Sequence, residues 1–128
     1  MTRNLTLLTD LYQLTMMNGY YLKGRHEKTA VFDVFFRQND LITYSLAAGL
    51  EQVVDYINNI SFGKEEIDYL RSLNLFDEGF LKYLSELKFT GDVYAVPEGV
   101  PVFPGEPILT VKAPIIQAQL VETAILNM

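Results

Sequence analysis

The sequence contains no cysteine, no tryptophan and a single histidine, His26. Without cysteine there is neither a disulfide framework nor a thiolate metal site, and one imidazole cannot build a histidine cluster, so no metal site is expected in this chain. Long apolar runs are missing too: nothing approaches the roughly 18 consecutive residues of a membrane helix. Residues 1–9 lack the apolar stretch and small-residue cleavage site of a secretory leader. These absences predict a cytoplasmic protein without a membrane partner. Positive charge is also scarce. Ten Lys and Arg face sixteen Asp and Glu, a net charge of -6, which opposes non-specific attraction to nucleic acid. A small phosphorylated ligand stays possible, because one or two well-placed arginines can hold a phosphate inside an acidic protein.

What the chain does have is core-forming material: 128 residues, 49% of them hydrophobic, with eight Phe and eight Tyr. That suits one domain. Thr9 or Asp10 can cap a helix running to about Asn18-Gly19, with Leu11, Leu14 and Met17 on its core face and Gly19 or Gly24 as its end. Ala30–Arg37, crowded with β-branched and aromatic residues, reads as a strand, and Thr43–Ala48 as its neighbour. Gly49 opens a helix with Leu50, Val53, Val54 and Ile57 on a core stripe, ended by Asn58-Asn59. Lys64–Asn74 follows as a helix burying Ile67, Leu70 and Leu73, and Asp77 caps another that carries Phe80, Leu81, Leu84 and Leu87.

After Gly91 the character changes. Asp92–Val96, Val100–Phe103 and Pro107–Val111 are short β-type runs broken by proline and glycine, as in tight turns and edge strands. Pro114–Met128 then reads as a helix apolar over much of its circumference, a surface normally buried on more than one side. It carries no glycine cap and no basic last turn, which predicts a chain that continues past Met128, although a helix can also fray at a natural terminus. The order of elements is α+β and far short of the roughly 250 residues of a complete α/β barrel.

No freestanding catalytic spacing is present: no GxSxG, no GxxxxGK[ST], no HExxH. Four stretches nevertheless have more character than a core requires. In Leu7–Tyr21 the core stripe leaves Tyr12 and Gln13 pointing elsewhere, so the Tyr12 ring can rest on a neighbour or be offered to a flat ligand. Arg37 ends an apolar strand, a place for a solvated cation or for a guanidinium that grips phosphate. Gly49 permits close packing or an unusual backbone angle at a strand-to-helix turn. Glu98 and Glu106 lie on turns of the Pro- and Gly-spaced stretch Val96–Leu109 and read as solvated glutamates rather than an acid/base pair.

Taken together, LLTDLYQLTM, FFR, AAGLEQVVDY, PEGVPVFPGEPIL and the closing QLVETAILN resemble, in order and spacing, the amino-terminal region of nicotinate phosphoribosyltransferases. The resemblance covers essentially the whole chain. It implies the amino-terminal domain of a type II phosphoribosyltransferase, helices with short, mostly antiparallel strands, occupying residues 1–128 and truncated at or near the start of the irregular α/β barrel. The parent enzyme implied joins nicotinate to 5-phosphoribosyl 1-pyrophosphate, forming nicotinate mononucleotide for NAD synthesis with coupled ATP hydrolysis and Mg²⁺. It is a homodimer whose clefts lie where subunits meet. Matched residue by residue, Tyr12 corresponds to a tyrosine stacking on the pyridine ring of the neighbouring subunit's site, and Arg37 to an arginine binding phosphate across that interface. Asp10 and Gln13 are possible supports for Tyr12. No catalytic residue is expected in this chain, the barrel being the missing partner that supplies most ligands and the phosphorylated histidine. His26, in GRHEK, matches no part of that histidine's motif. On this reading the isolated chain binds neither ATP nor Mg²⁺ and has no turnover. The alternative is a stand-alone ligand-binding or regulatory module.

Overall fold

A computed structural model describes residues 3–128. In chain order the elements are α1 (Leu11–Leu22), β1 (Thr29–Val34), β2 (Ser45–Leu46), α2 (Leu50–Asn58), α3 (Lys64–Ser72), α4 (Glu78–Glu86), β3 (Asp92–Ala95), β4 (Pro101–Val102), β5 (Leu109–Pro114) and α5 (Ile115–Asn127). The fold is therefore α+β with short antiparallel strands, as the sequence predicts.

Most helix boundaries follow from local chemistry. The Asp77 carboxylate accepts hydrogen bonds from the Gly79 and Phe80 amides (2.8 and 3.4 Å), capping α4. Gly49, at φ 98°, turns the chain into α2 through a backbone conformation that a side chain would strain. Ile67 and Leu70 of α3 are buried as expected, and so are Phe80, Leu81 and Leu84 of α4.

Helix α1 is longer than the span to Asn18-Gly19 and stops at the second of the two glycines expected to end it. It runs through Gly19 and ends beside Gly24 (φ 64°), where the Gly24 amide bonds the Tyr21 carbonyl. A mid-helix glycine costs about 1 kcal/mol. Here Tyr20 and Tyr21, packed on the core just beyond it, hold the extra turn in place. Its core face also differs, because Leu11 is half exposed while Gln13 is fully buried beside Leu14 and Met17.

The strands pair over long range. A three-stranded antiparallel sheet has the order β1-β5-β3, with Phe32 opposite Val111 and Val93 opposite Val111 from the other edge. In β5 the alternate residues Leu109, Val111 and Ala113 are buried, the period-2 pattern of a strand with one core face. The strand expected over Thr43–Ala48 is not the neighbour of β1. Only Ser45–Leu46 forms a strand, and it pairs with β4 in a separate two-stranded ladder. The first strand stops at Val34, leaving Phe35, Phe36 and Arg37 in a loop, while the last begins at Leu109 rather than Pro107. Both shifts reflect pairing: β1 extends as far as β5 lies opposite it.

Helix α5 is the hub. It touches α1, α2, β1 and β5, and Ile116, Ala118, Leu120, Val121, Ala124 and Ile125 are all buried within the one chain. Its apolar circumference is thus largely covered without a second molecule, and of its large apolar side chains only Leu126 lies open to solvent. Because Leu120 is fully buried, Leu120→Ala is expected to cost about 2–5 kcal/mol in a urea unfolding experiment, through lost transfer energy and a residual cavity. Leu126→Ala, at a position 60% exposed, should change stability by no more than about 0.5 kcal/mol.

Candidate functional site

The start of α1 gathers three of the four residues that the resemblance matches to a substrate site, Asp10, Tyr12 and Gln13. Asp10 stands at the helix N-cap position, but its carboxylate does not cap. Instead its Oδ2 accepts from the Thr123 hydroxyl at 3.1 Å, and its backbone amide donates back to Thr123 Oγ1 at 3.4 Å. Three residues on, the buried Gln13 amide makes a full set of bonds. Nε2 donates to Glu122 Oε2 at 3.0 Å and to the Tyr12 hydroxyl oxygen at 3.1 Å, while Oε1 accepts from Gln119 Nε2. Residues 119, 122 and 123 are spaced i, i+3, i+4 and so face α1 from one side of α5. The two helices are joined by a polar seam within an otherwise apolar contact.

Tyr12 sits at the solvent edge of this seam. It is 53% exposed, with its hydroxyl tethered to Gln13 and the rest of the ring available. Gln13 is in direct contact with it, whereas Asp10 bonds Thr123 of α5 and makes no hydrogen bond to Tyr12. Gln13, expected to point away from the core with Tyr12, is instead buried. A glutamine can take a core position on a helix when every donor and acceptor finds a partner, and this one does.

Arg37 lies elsewhere. It is exposed on the loop after β1 rather than at a strand end, a segment held near residue 105 by the Gly105 amide donating to the Phe36 carbonyl at 3.0 Å. Among the described residues it makes no ion pair, and no hydrogen bond joins it to Tyr12. An apolar groove of about 450 Å³ between β1 and α5 spans part of the gap, with Glu122 of the seam on its wall together with Phe35, two residues before Arg37. The loop beyond is stiffened where Asn39 Oδ1 accepts from the Leu41 and Ile42 amides, both at 2.9 Å.

The other candidates have structural explanations. Glu98 is not merely solvated: its Oε1 accepts from the Leu50 amide at 2.5 Å, so it closes the N-terminus of α2 that Gly49 cannot cap with a side chain. Glu106 is exposed on its turn. His26 packs between the rings of Tyr21 and Tyr83, with centroids 5.1 Å from each. Beside it, Tyr83 donates to Glu27 Oε1 at 2.6 Å, and burial together with the neighbouring carboxylate pushes the phenol well above its usual range. Among the described residues no three His, Asp or Glu side chains converge as metal ligands, and no helix is long and apolar enough to cross a membrane.

Sequence reasoning misses Gln119, Glu122 and Thr123. The signal is present in QLVETAILN: polar residues at helical spacing on an apolar helix need partners, and such partners must come from the helix packed against them.

With that geometry in place, comparison with known proteins is informative. The model of the nicotinate phosphoribosyltransferase (NAPRTase) N-terminal domain matches residues 7–128. A nicotinate phosphoribosyltransferase of Mycobacterium tuberculosis is 47% identical over 122 residues, covering 94% of this chain and 26% of that protein. The Bacillus subtilis nicotinate phosphoribosyltransferase is 44% identical over 125 residues, covering 97% of this chain and again 26% of the relative. Among solved structures, human nicotinic acid phosphoribosyltransferase superposes with a TM-score of 0.84 at 36% identity, over 93% of this chain and 25% of that one. The chain spans about a quarter of the length of the relatives it matches. Motif order, helix and strand arrangement, and both kinds of comparison agree that the chain belongs to the nicotinate phosphoribosyltransferase N-terminal domain family.

Proposed function

We propose that this chain serves as the amino-terminal part of an enzyme that joins nicotinate to 5-phosphoribosyl 1-pyrophosphate, giving nicotinate mononucleotide with coupled ATP hydrolysis in a cytoplasmic homodimer. The observation that carries this reading is the family match from residue 7 to residue 128 in a chain a quarter the length of its relatives. Tyr12 stacks on the pyridine ring bound by the neighbouring subunit, Arg37 binds phosphate across the same interface, and the residues that perform the chemistry belong to the barrel that follows. ATP and Mg²⁺ are the cofactors of the parent enzyme on this reading.

The chemistry suits these side chains. A half-exposed aromatic face on a rigid helix can hold a pyridine ring in line with the anomeric carbon, and orientation of reacting groups is worth up to roughly 7–11 kcal/mol of barrier in ideal cases. Cleavage at that carbon leaves charge on pyrophosphate, and a guanidinium held near it stabilises that charge in the transition state.

Four outcomes are expected. The purified 128-residue chain, supplied with nicotinate, phosphoribosyl pyrophosphate, ATP and Mg²⁺, should form no nicotinate mononucleotide by chromatographic assay. In the full-length protein, Tyr12→Ala should raise KM for nicotinate and lower kcat, a stacked ring being worth roughly 1–3 kcal/mol, with Tyr12→Phe much milder because the ring is kept. Arg37→Ala should weaken phosphoribosyl pyrophosphate more than nicotinate, and Arg37→Lys should rescue it only in part, since lysine lacks the planar fork. If the clefts are shared, mixing Arg37→Ala subunits with subunits inactivated in the barrel should recover some activity, because a mixed dimer holds one intact cleft. Subunit exchange without recovery would confine Arg37 to its own subunit.

A further inference from the structure

We propose that Glu122, with Gln119, is a positioning residue that acts through Gln13 to fix the orientation of the Tyr12 ring. The inference rests on the reading of Tyr12 as the nicotinate-stacking side chain and names the residues that make that site specific in geometry.

An isolated tyrosine on the first turn of a helix rotates freely between rotamers. Tyr12 is not isolated, since its hydroxyl oxygen accepts from Gln13 Nε2 at 3.1 Å. That tether is useful only if the Gln13 amide presents its nitrogen, and an amide can also be turned over to present oxygen. Two groups of α5 decide the matter. The Glu122 carboxylate, 3.0 Å from Nε2, is an acceptor and would repel an oxygen in that place. Gln119 Nε2 donates to the opposite atom, Oε1, and would meet a second donor if the amide were reversed. Gln13 is fully buried and Gln119 nearly so, so water cannot substitute for a lost partner without cost. The chain of contacts Glu122, Gln13, Tyr12 thus runs from the core helix to the exposed ring with its polarity set at each step. Because Tyr12 Oη accepts the Gln13 bond, its own proton is directed away from the seam. A buried amide serving only to bind α1 to α5 would need Glu122 and Gln119 but not the contact with Tyr12.

The test is a double-mutant cycle in the full-length protein, read as KM for nicotinate, KM for phosphoribosyl pyrophosphate and kcat. Glu122→Ala is expected to raise KM for nicotinate roughly threefold to tenfold, the factor carried by about one hydrogen bond, leaving KM for phosphoribosyl pyrophosphate unchanged. Glu122→Gln, which keeps an acceptor oxygen, should restore most of the loss. In a Tyr12→Phe background, where the tether is already absent, Glu122→Ala should have no further effect on KM for nicotinate. Where Glu122→Ala does not fold, Glu122→Leu, closer in volume, takes its place in the cycle. Independent, multiplying effects of the Glu122 and Tyr12→Phe changes, or a parallel rise in both Michaelis constants, would make Glu122 a structural residue and overturn the proposal while leaving the Tyr12 reading intact. An unchanged KM for nicotinate in Tyr12→Ala would remove the stacking reading and the positioning role together.

Discussion

The structure depends on one constraint: α5 is buried on nearly every side, yet it carries Gln117, Gln119, Glu122 and Thr123. An apolar helix in that position would be held by packing alone, with little to fix its rotation or its register against its neighbours. Unpaired polar groups there are costly, so each must find a partner, and each partner fixes a neighbour. Gln117 is met by Thr90, whose backbone amide and hydroxyl take both ends of the side-chain amide at 2.8 and 3.0 Å. That pair pins the turn leading into β3. Gln119 and Glu122 are met by Gln13, and Thr123 by Asp10, which pins the start of α1. The apolar remainder of α5 supplies the driving force, and its polar minority settles where the flanking elements lie.

How much of this can be read from the sequence depends on the range of the interaction. Asp77 as a cap, Gly49 as the entrance to α2 and the buried faces of α3 and α4 are all local, determined by residues within a turn or two of each other, and they are legible. Strand pairing is not. Nothing in Ala30–Arg37 says that its partner is a segment about eighty residues away, and proximity in sequence favours Thr43–Ala48, which instead joins β4. The end of α1 is obscured for a related reason: glycine propensity argues for a stop at Gly19, and contacts made by Tyr20 and Tyr21 with the rest of the core outweigh it. Gln13 is the clearest case, since its own letter signals exposure. Only the polar letters on α5, read together with those on α1, reveal that the two sets satisfy one another.

For the candidate site the same division holds. Tyr12, Asp10 and Gln13 are visible as a motif, and their closeness in the fold follows from one helical turn. The α5 residues that give the motif its rigidity lie more than a hundred residues later. Glu98 shows the opposite error, a carboxylate on a turn that reads as idle when it satisfies an amide that glycine leaves open. A carboxylate near a glycine-initiated helix is a capping candidate whenever the fold brings the two segments together, and here the bond from the Gly99 amide to the Ala47 carbonyl, 2.7 Å, does so.

The two side chains proposed to meet substrate are held in contrasting ways, and the contrast fits what each proposed interaction requires. Stacking depends on the tilt and offset of two planes within a few ångströms, so a ring that stacks benefits from a rigid helix and a tethered hydroxyl. A charge acting on phosphate works over a longer range and tolerates small displacements, because Coulomb energy falls only as the inverse of distance. Tyr12 has the helix and the tether, whereas Arg37 stands on a loop with its backbone held at one point and its guanidinium free of ion pairs among the described residues. A guanidinium engaged by a carboxylate of its own chain would have to give up that partner before binding phosphate, and the loss would subtract from affinity. Leaving Arg37 unpaired in a net-acidic chain avoids that cost and keeps its charge available to an anion arriving from outside.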